Sequence, residues 1–293
     1  MKDNPIFYVL LLFLGESRSS SADIIQAGNG SDDDTNRELY IVNEKAPVRN
    51  FKHGFSGFAA RLTRQEANSI AQKPRVVSVF PDPILKLLHT TRSWDFLKDQ
   101  STPVKIHHPN TVYNSAPSYM ARIDKGMGPV PCRWKGTCMK SYYFYSSNCN
   151  RKIIGARHYP DPQGDSEYET PRDKNGHGTH VASTAAGATV PGASYYGVAA
   201  GTAQSGSPKS LLAIYKVCFK YECPGSAVLA AFDDAIADGV DVISLSVASL
   251  SELKYNPIAI GAFHAVERGI LVVASAGNNG PSLNTVVKDV PWI

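Results

Sequence analysis

The alternation of strand-like and helical segments in the C-terminal half most constrains the fold of this chain. Ser210–Val217 and Ile270–Ala274 are nearly continuous apolar runs, as expected of strands covered on both faces of a parallel sheet. Between them lie an amphipathic segment, Ser226–Asp238, a strand-like segment, Val240–Val247, and a second helical segment, Ile258–Arg268. Repeated strand–helix–strand units require right-handed crossovers. We therefore predict an α/β fold, an open and mostly parallel sheet with helices on both faces.

The first of these predicted helices has a clear apolar side. That side is formed by four residues: Val228, Leu229, Phe232 and Ile236. The opposite side carries three aspartates that are predicted to face water: Asp233, Asp234 and Asp238. Gly239 is placed to end the helix, because glycine adopts the left-handed conformation of a C-terminal cap without strain.

A histidine flanked by glycines marks the candidate reactive site, in the run D-K-N-G-H-G-T-H-V-A-S-T-A-A-G at Asp173–Gly187. The glycines leave space for another group to approach the imidazole of His177. The small residues that follow suit a tightly packed helix, so His177 is predicted at the start of a buried helix. Taken alone, the run is more typical of a glycine-flanked helix cap whose histidines are satisfied polar groups.

A second block follows about a hundred residues later, I-L-V-V-A-S-A-G-N-N-G-P at Ile270–Pro281. A buried strand there ends in a small-residue turn with an asparagine, and sites in parallel sheets lie beyond the carboxyl ends of strands. The two blocks, in this order, resemble those of the subtilisin-like serine proteases. The resemblance implies that His177 is the general base, that His180 is structural and that Asn278 is the oxyanion donor. It also implies that the backbone of Ser244, Leu245 and Ser246 binds substrate, although Val247-Ala248 replaces the family's usual Leu-Gly.

The N-terminal part predicts a small α+β domain. Leu39–Val42, Phe55–Leu62 and Val76–Phe80 are strand-like, and Thr63 to Glu66 form a capping box that opens a helix. Pro81 and Pro83 are predicted to stop the third strand. The runs K-H-G-F-S-G-F-A-A-R-L and V-V-S-V-F-P-D resemble the ferredoxin-like propeptide of plant subtilases, internally shortened here. That resemblance implies a domain at 39–89 whose tail plugs the active site, and maturation cleavage between His89 and Thr90.

Residues 1–22 are predicted to be a secretory signal peptide. Ile6–Gly15 is an apolar run behind Lys2, and the small residues Ser19–Ala22 suit cleavage. The alternative is an ordinary buried segment near the N-terminus. With a signal peptide at 1–22, residues 90–293 would form a partial peptidase domain of a secreted, extracellular protein. The resemblance implies that this protein lies in the apoplast or cell wall, and we expect no membrane association once the signal is removed.

Two blocks of the family's catalytic machinery are not recognisable. The segment Lys98–Asp124 contains no Asp-Thr-Gly turn for the triad aspartate, and Asp124 belongs to the flanking run D-K-G-M-G-P. No Gly-Thr-Ser-Met block for the nucleophile is found. We therefore expect a serine endopeptidase represented by an incomplete chain. The alternatives are a catalytically inactive decoy that occupies an active subtilase, and a metalloenzyme using His177 and His180.

The five cysteines form two close pairs and one remainder. Cys138 with Cys149, and Cys218 with Cys223, fit local disulfides in a secreted protein, and the resemblance supports both pairings. Cys132 is left over, and no spacing fits a zinc site. We expect no metal and no cofactor, and the net charge of +4 is too small to indicate nucleic acid. The expected partners are peptide or protein substrates and the chain's own or a related propeptide.

Overall fold

The structure is a computed structural model that describes most of the chain. The described residues are 7–12, 38–42, 49–74, 76–87, 123–141, 143–160, 169–195, 197–219, 222–248, 251–286 and 290–293. The predicted maturation site His89–Thr90 lies outside these ranges.

The described elements are four α-helices and fourteen strands. The helices are α1 (Arg64–Ala71), α2 (His177–Ala186), α3 (Gly225–Asp238) and α4 (Pro257–Glu267). The strands are β1 (Phe7–Leu12), β2 (Glu38–Val42), β3 (Arg49–Phe51), β4 (Gly57–Leu62), β5 (Val79–Pro81), β6 (Ile84–Leu87), β7 (Ile153–His158), β8 (Val190–Tyr195), β9 (Val198–Ala203), β10 (Leu211–Lys216), β11 (Cys223–Pro224), β12 (Val242–Leu245), β13 (Val247–Ala248) and β14 (Leu271–Ala274).

A five-stranded parallel sheet forms the centre of the C-terminal half, in the order β14-β12-β1-β10-β7. Helices cover both of its faces. On one face, Ala213, Tyr215 and Ile243 pack with α3 and α4, and on the other, Leu212 and Ile214 pack with α2. Alternate residues of β10 thus point to opposite layers, as a strand requires. The predicted α/β fold is confirmed.

Helix α2 runs antiparallel to the sheet, so His177 lies at the carboxyl edge of the strands. The last turn of α2 accepts hydrogen bonds from the segment that leads into β10, because Gly206 donates to Thr184 and Ser207 donates to Ala185. At the other edge, the buried ammonium of Lys216, the last residue of β10, donates to the carbonyl of Thr170 at 2.9 Å. The loop that enters α2 is therefore held where parallel-sheet sites form.

The N-terminal unit is a four-stranded antiparallel sheet, β3-β4-β2-β5, with α1 on one face. The predicted capping box is present, since Thr63 and Glu66 each accept a hydrogen bond from the other's backbone N–H. The opposite face packs on α3: Phe51, Ala59 and Phe80 form one buried cluster with Leu229. The second apolar side of this small sheet is thus buried against the C-terminal half.

The aspartates of α3 do not face water as the helical pattern predicts. Asp233 and Asp238 are 4% and 3% exposed, respectively. Asp233 accepts backbone hydrogen bonds from the β3–β4 loop, and Asp238 binds Arg157 and Tyr215. The prediction that Asp233 and Asp238 face water was wrong, because their hydrogen-bond partners are distant in sequence. The helical period of the sequence contains no information about such partners.

The apolar run predicted as the core of a signal peptide is the middle strand of the parallel sheet. The backbone of β1 pairs with β10 from Phe7–Leu211 to Leu12–Lys216, and with β12 from Tyr8–Val242 to Leu10–Ser244. The signal peptide stays a prediction, and the structure gives the alternative of a buried segment a specific place. Among the described residues, no helix has the length and apolar character needed to cross a bilayer.

Both predicted disulfides are formed. Cys138 bonds to Cys149, and Cys218 bonds to Cys223. Cys132 is exposed and is not in a disulfide. The second bond links the two residues that flank the turn between β10 and β11, and it holds β11 beside the end of β10.

Candidate active site

The conformation of the loop before α2 places His177 at the first helical position, as predicted. Gly176 has a φ of 100°, which favours glycine because a side chain would be strained there. Asp173 then supplies the cap of the helix: its carboxylate accepts hydrogen bonds from the N–H of Gly176 and from both the N–H and the hydroxyl of Thr179 at 2.6–2.8 Å. A carboxylate beside the N-terminus of a helix also interacts favourably with the helix dipole.

The imidazole of His177 is buried, at 4% exposure. Its Nδ1 atom is the position at which a triad acid would bind a catalytic histidine. Asp173 does not serve as that acid, because its carboxylate accepts hydrogen bonds from the N–H of Gly176 and from Thr179, so it is a capping residue. His180, one turn further along α2, is exposed.

Asn278 lies beyond the carboxyl end of β14, four residues after the strand ends, and it is exposed. The preceding residue, Gly277, has a φ of 118°, so the turn that presents the asparagine again requires glycine. His177 and Asn278 are therefore placed by different elements at the same edge of one sheet. The sequence predicts the reactive site at this edge.

An extended segment of the N-terminal unit crosses this edge. Strand β6 pairs antiparallel with β11 on one side and with β13 on the other, so it is the middle strand of a three-stranded sheet. Its partners β11 and β13 are the next strands along the chain after β10 and β12, respectively. The residues of β13 that pair with β6 are Val247 and Ala248. Ser244 instead lies within the five-stranded sheet, where it pairs with Leu10 and Val273. The observed pairing thus falls beyond the predicted Ser244–Ser246 segment.

Asp82 anchors the start of this crossing segment to α3. Its carboxylate accepts hydrogen bonds from the N–H of Ser226 at 2.7 Å and from the hydroxyl of Ser226 at 2.5 Å. The N-cap residue of α3 is Pro224, which provides no side-chain cap, so Asp82 supplies one from 144 residues away. Gly225 allows this approach, because a Cβ there would lie 2.8 Å from the Asp82 carboxylate and 2.5 Å from Pro257.

Replacing Asp82 by alanine is expected to lower the free energy of unfolding by about 0.5–2 kcal/mol, since α3 would lose its only side-chain N-terminal cap among the described contacts. Urea denaturation of the intact chain measures the effect. Asp82→Asn keeps an acceptor oxygen at the same position and is expected to lose only a few tenths of a kcal/mol. Equal stability of Asp82→Ala and the unchanged chain would contradict the capping role.

Asp233 makes the second polar anchor between the two units. Its carboxylate accepts hydrogen bonds from three consecutive N–H groups, those of Lys52, His53 and Gly54, at 2.5–2.8 Å. Several N–H donors on one carboxylate form a strong, charge-assisted contact. A Cβ on Gly54 would come within 2.8 Å of Ile236, so the loop follows the surface of α3 closely. The two anchors lie on the same helix, one in its first turn at Ser226 and the other about two turns further along at Asp233.

Sequence reasoning did not identify His158 and Lys216 at the carboxyl edge. They end β7 and β10 and are partners in the ladder. Burial, together with the charge of Lys216, lowers the pKa of His158 to about 4, so this histidine is neutral at neutral pH. Lysine at the end of an apolar strand matches no motif, and only its bond to Thr170 shows that it positions the loop before His177.

Asp82 and Asp233 were also missed as functional residues. The only sequence signal for Asp82 was its place in the V-V-S-V-F-P-D run, and Asp233 was assigned to the solvent side. For the metalloenzyme alternative, no group of three or more metal-binding side chains that could hold an ion forms within the described part of the chain.

Comparison with known proteins assigns the two parts of the chain to two family models. The model of the Subtilase family matches residues 118–289, more than half of the chain. The model of the Peptidase inhibitor I9 matches residues 16–88. The first range contains the elements of the C-terminal half except β1, and the second contains β2 to β6 and α1.

Two curated relatives agree with this assignment. The CO(2)-response secreted protease of Arabidopsis thaliana is 51% identical over 319 aligned positions, covering 98% of this chain and 41% of the relative. Subtilisin-like protease SBT5.1 of the same organism is 48% identical, covering 91% of this chain and 37% of the relative. The crystal structure of the epidermin leader peptide processing serine protease (EpiP) from Staphylococcus aureus has a TM-score of 0.49 at 16% identity, covering 84% of this chain and 61% of that chain.

The first alignment has more positions than the 293 residues of this chain, so the relative carries segments that this chain lacks. The chain spans about two fifths of the length of the two curated relatives. A family match over more than half of the chain, together with relatives at about 50% identity that cover nine tenths of it or more, shows that this chain belongs to the subtilase family.

Proposed function

We propose that this chain supplies the propeptide and the first part of the catalytic domain of a subtilisin-like serine endopeptidase, which hydrolyses peptide bonds. The observation that carries the proposal is the position of β6. This strand is paired on both sides at the carboxyl edge of the sheet, where α2 begins with His177. Pairing of an extended peptide with neighbouring strands is a common way to bind it, since main-chain hydrogen bonds do not depend on its sequence.

In this proposal His177 is the general base and Asn278 donates its amide to the oxyanion of the tetrahedral intermediate. Strands β11 and β13 bind the substrate backbone, with Ser244–Ser246 supporting the second of them from the end of β12. The predicted cleavage site His89–Thr90 begins two residues after β6 ends. Strand β6 therefore occupies the substrate position in the uncleaved chain, and Asp82 and Asp233 hold it there.

We further propose that the protein acts outside the cell, in the apoplast. One relative is named a secreted protease, and two disulfides are typical of an oxidising compartment. The predicted partners are peptide or protein substrates and the chain's own propeptide. Neither the family match nor the relatives favour the alternative of a catalytically inactive decoy.

A completed chain tests the proposal. In it, residues 98–122 are replaced by the segment of the CO(2)-response secreted protease that carries the triad aspartate, and the remaining C-terminal portion of that relative follows Ile293. We expect the completed chain to hydrolyse a fluorogenic peptide, because base, acid, nucleophile and oxyanion donor are then all supplied.

The matched control is the completed chain with its nucleophilic serine replaced by alanine, which is expected to be inactive. A folded completed chain that releases its propeptide but hydrolyses peptides no faster than this control would contradict the proposal. Sequencing the full transcript is an independent test. It is expected to contain an Asp-Thr-Gly run upstream of Gly126.

A further inference from the structure

Two exposed tyrosines lie on a loop that contacts the segment leading into α2. The tyrosine loop is the segment 138–149, which is closed by the first of the two disulfides. Tyr143 and Tyr145 are 64% and 63% exposed, respectively, whereas Phe144 between them packs against the cluster of β7, β10 and α2 residues. The two tyrosine rings therefore present most of their surface to solvent.

Hydrogen bonds within the tyrosine loop fix the backbone that carries these rings. Ser141 and Phe144 exchange two backbone hydrogen bonds, at 2.9 and 3.0 Å. The side-chain oxygen of Asn148 accepts a hydrogen bond from the N–H of Tyr145 at 2.7 Å, and the N–H of Asn148 donates to the carbonyl of Tyr145 at 2.9 Å. Groups that are ordered before binding lose less conformational entropy when a partner binds. The tyrosine loop is thus preorganised for contact.

Tyr143 is held in a conformation that its own backbone disfavours. Its φ is 57°, in the left-handed region, which is unusual for a bulky aromatic residue. The carbonyl of Tyr143 accepts a hydrogen bond from Nε of Arg172 at 2.6 Å, so the loop is joined to the segment that enters α2 at His177. Strained residues persist only where the surrounding structure imposes them, and they cluster at binding and active sites.

Positive charge accompanies the two rings. Residues 125–160 contain lysines and arginines but no aspartate or glutamate. On the segment that enters α2, Asp173 caps the helix, which leaves Glu169 as the other acidic residue of 169–176. Three exposed cations lie on the tyrosine loop and on that segment: Lys140, Arg172 and Lys174.

We propose that Tyr143 and Tyr145, together with these cations, form an exosite that binds an acidic segment of a polypeptide substrate, outside the stretch to be cleaved. Tyrosine supplies a large apolar ring with a polar hydroxyl, and lysine and arginine form charge-assisted hydrogen bonds with carboxylates. The exosite contacts the segment before His177, whereas β6 reaches the same edge between β11 and β13. One long substrate can therefore engage both places. The identity of the occupant rests on the proposed function, but its binding does not require catalysis.

The first test measures binding to the intact chain by fluorescence anisotropy. The probe is a fluorescein-labelled peptide of alternating glutamate and proline, since proline packs on aromatic rings, and the comparison peptide has lysine in place of glutamate. The tyrosine variant combines Tyr143→Asn with Tyr145→Ala, because asparagine tolerates the left-handed conformation. We expect it to bind the acidic peptide about tenfold more weakly. Phe263→Ala, which removes an exposed ring from α4, is the matched control and is expected to leave the affinity unchanged.

Equal affinity of the tyrosine variant and the unchanged chain for the acidic peptide would overturn the proposal, as would equal binding of the acidic and basic peptides. Tyrosine-dependent binding of polygalacturonate, without binding of the peptide, would also overturn it. If the tyrosine variant has a lower Tm, Lys140→Ala combined with Lys174→Ala decides instead, because both side chains are exposed. About a tenfold loss of affinity then supports the exosite, and no loss refutes it.

The second test uses the completed chain and separates KM from kcat. A fluorogenic peptide with an acidic extension is expected to have a KM about tenfold lower than the same peptide without it, at unchanged kcat, because the second contact adds binding but no chemistry. The tyrosine variant is expected to abolish this difference. Equal KM values for the two peptides in an active enzyme would refute the exosite. A folded completed chain that cleaves neither peptide would refute the proposed function, and the anisotropy measurements would still decide the exosite.

Discussion

Replacing His177 by alanine in the completed chain is expected to lower kcat by about 2 × 10⁶-fold, the size of the loss when the histidine of subtilisin, a member of the same family, is removed. The imidazole begins α2 at the carboxyl edge of the sheet, where it would take the proton of the serine hydroxyl. The rate is measured with a fluorogenic peptide, after the fraction of correctly matured enzyme has been quantified.

His180→Ala is the matched control. It removes the same side chain one helical turn further along, at an exposed position, and kcat is expected to change by less than about tenfold. A completed chain that contains the serine but not the aspartate gives a second measurement. Because triad losses are not additive, His177→Ala should then cost only on the order of 10²-fold. Equal effects of His177→Ala and His180→Ala would contradict the assignment of the base.

The elements that carry the candidate site could be predicted from sequence because their signals are local. The glycine-flanked histidine predicts the start of α2, which begins at His177. The apolar runs predict β10, β12 and β14 to within two residues at each end. The parallel arrangement then places His177 and Asn278 at one edge without further information. Periodicity and turn chemistry are sufficient for this part of the fold.

The elements that could not be predicted from sequence depend on contacts between distant segments. Pro81 and Pro83 were expected to end the third strand of the N-terminal unit, and β5 does end at Pro81. A new strand, β6, then begins directly after Pro83, because β11 and β13 offer it partners. Its four residues have no signal of their own. Pairing with strands that are more than a hundred residues away creates the element.

The apolar run near the N-terminus could not be assigned from sequence for a different reason. The same pattern is typical of a signal peptide and of a buried strand. Composition describes a leader and a doubly covered parallel strand in the same way. Only the place between β10 and β12 distinguishes them, and that place is a property of the whole sheet.

Asp238 has the largest expected effect on stability among the polar residues of the sheet–helix interface. Its carboxylate, 4% exposed, accepts two hydrogen bonds from the guanidinium of Arg157 at 2.7 and 2.8 Å. It also accepts one from the hydroxyl of Tyr215 at 2.6 Å. Burial opposes the charge on Arg157, but the hydrogen bond and the nearby charges of Asp238 and Asp234 outweigh it and raise the pKa of Arg157. Burial raises the pKa of Tyr215, so its hydroxyl remains a donor.

Asp238→Ala is therefore expected to lower the free energy of unfolding by about 3–5 kcal/mol, because a largely buried cation loses its main partner. Asp241→Ala is the matched control: Asp241 also accepts two hydrogen bonds from an arginine, Arg133, at 2.6 and 2.9 Å, but both side chains are at least a third exposed. Its expected loss is below about 1 kcal/mol. Urea denaturation with a constant m-value measures both changes.

A double-mutant cycle separates the pair from the packing around it. Arg157→Ala combined with Asp238→Ala removes both charges, so the double variant is expected to lose less stability than the two single losses added together. Asp234 lies 3.8 Å from Arg157 and accepts a hydrogen bond from Tyr159, so part of the charge remains compensated in Asp238→Ala. If the stability losses of Arg157→Ala and Asp238→Ala simply add in the double variant, the two side chains do not stabilise the protein through each other. The ion pair that joins α3 to β7 would then contribute nothing measurable to stability.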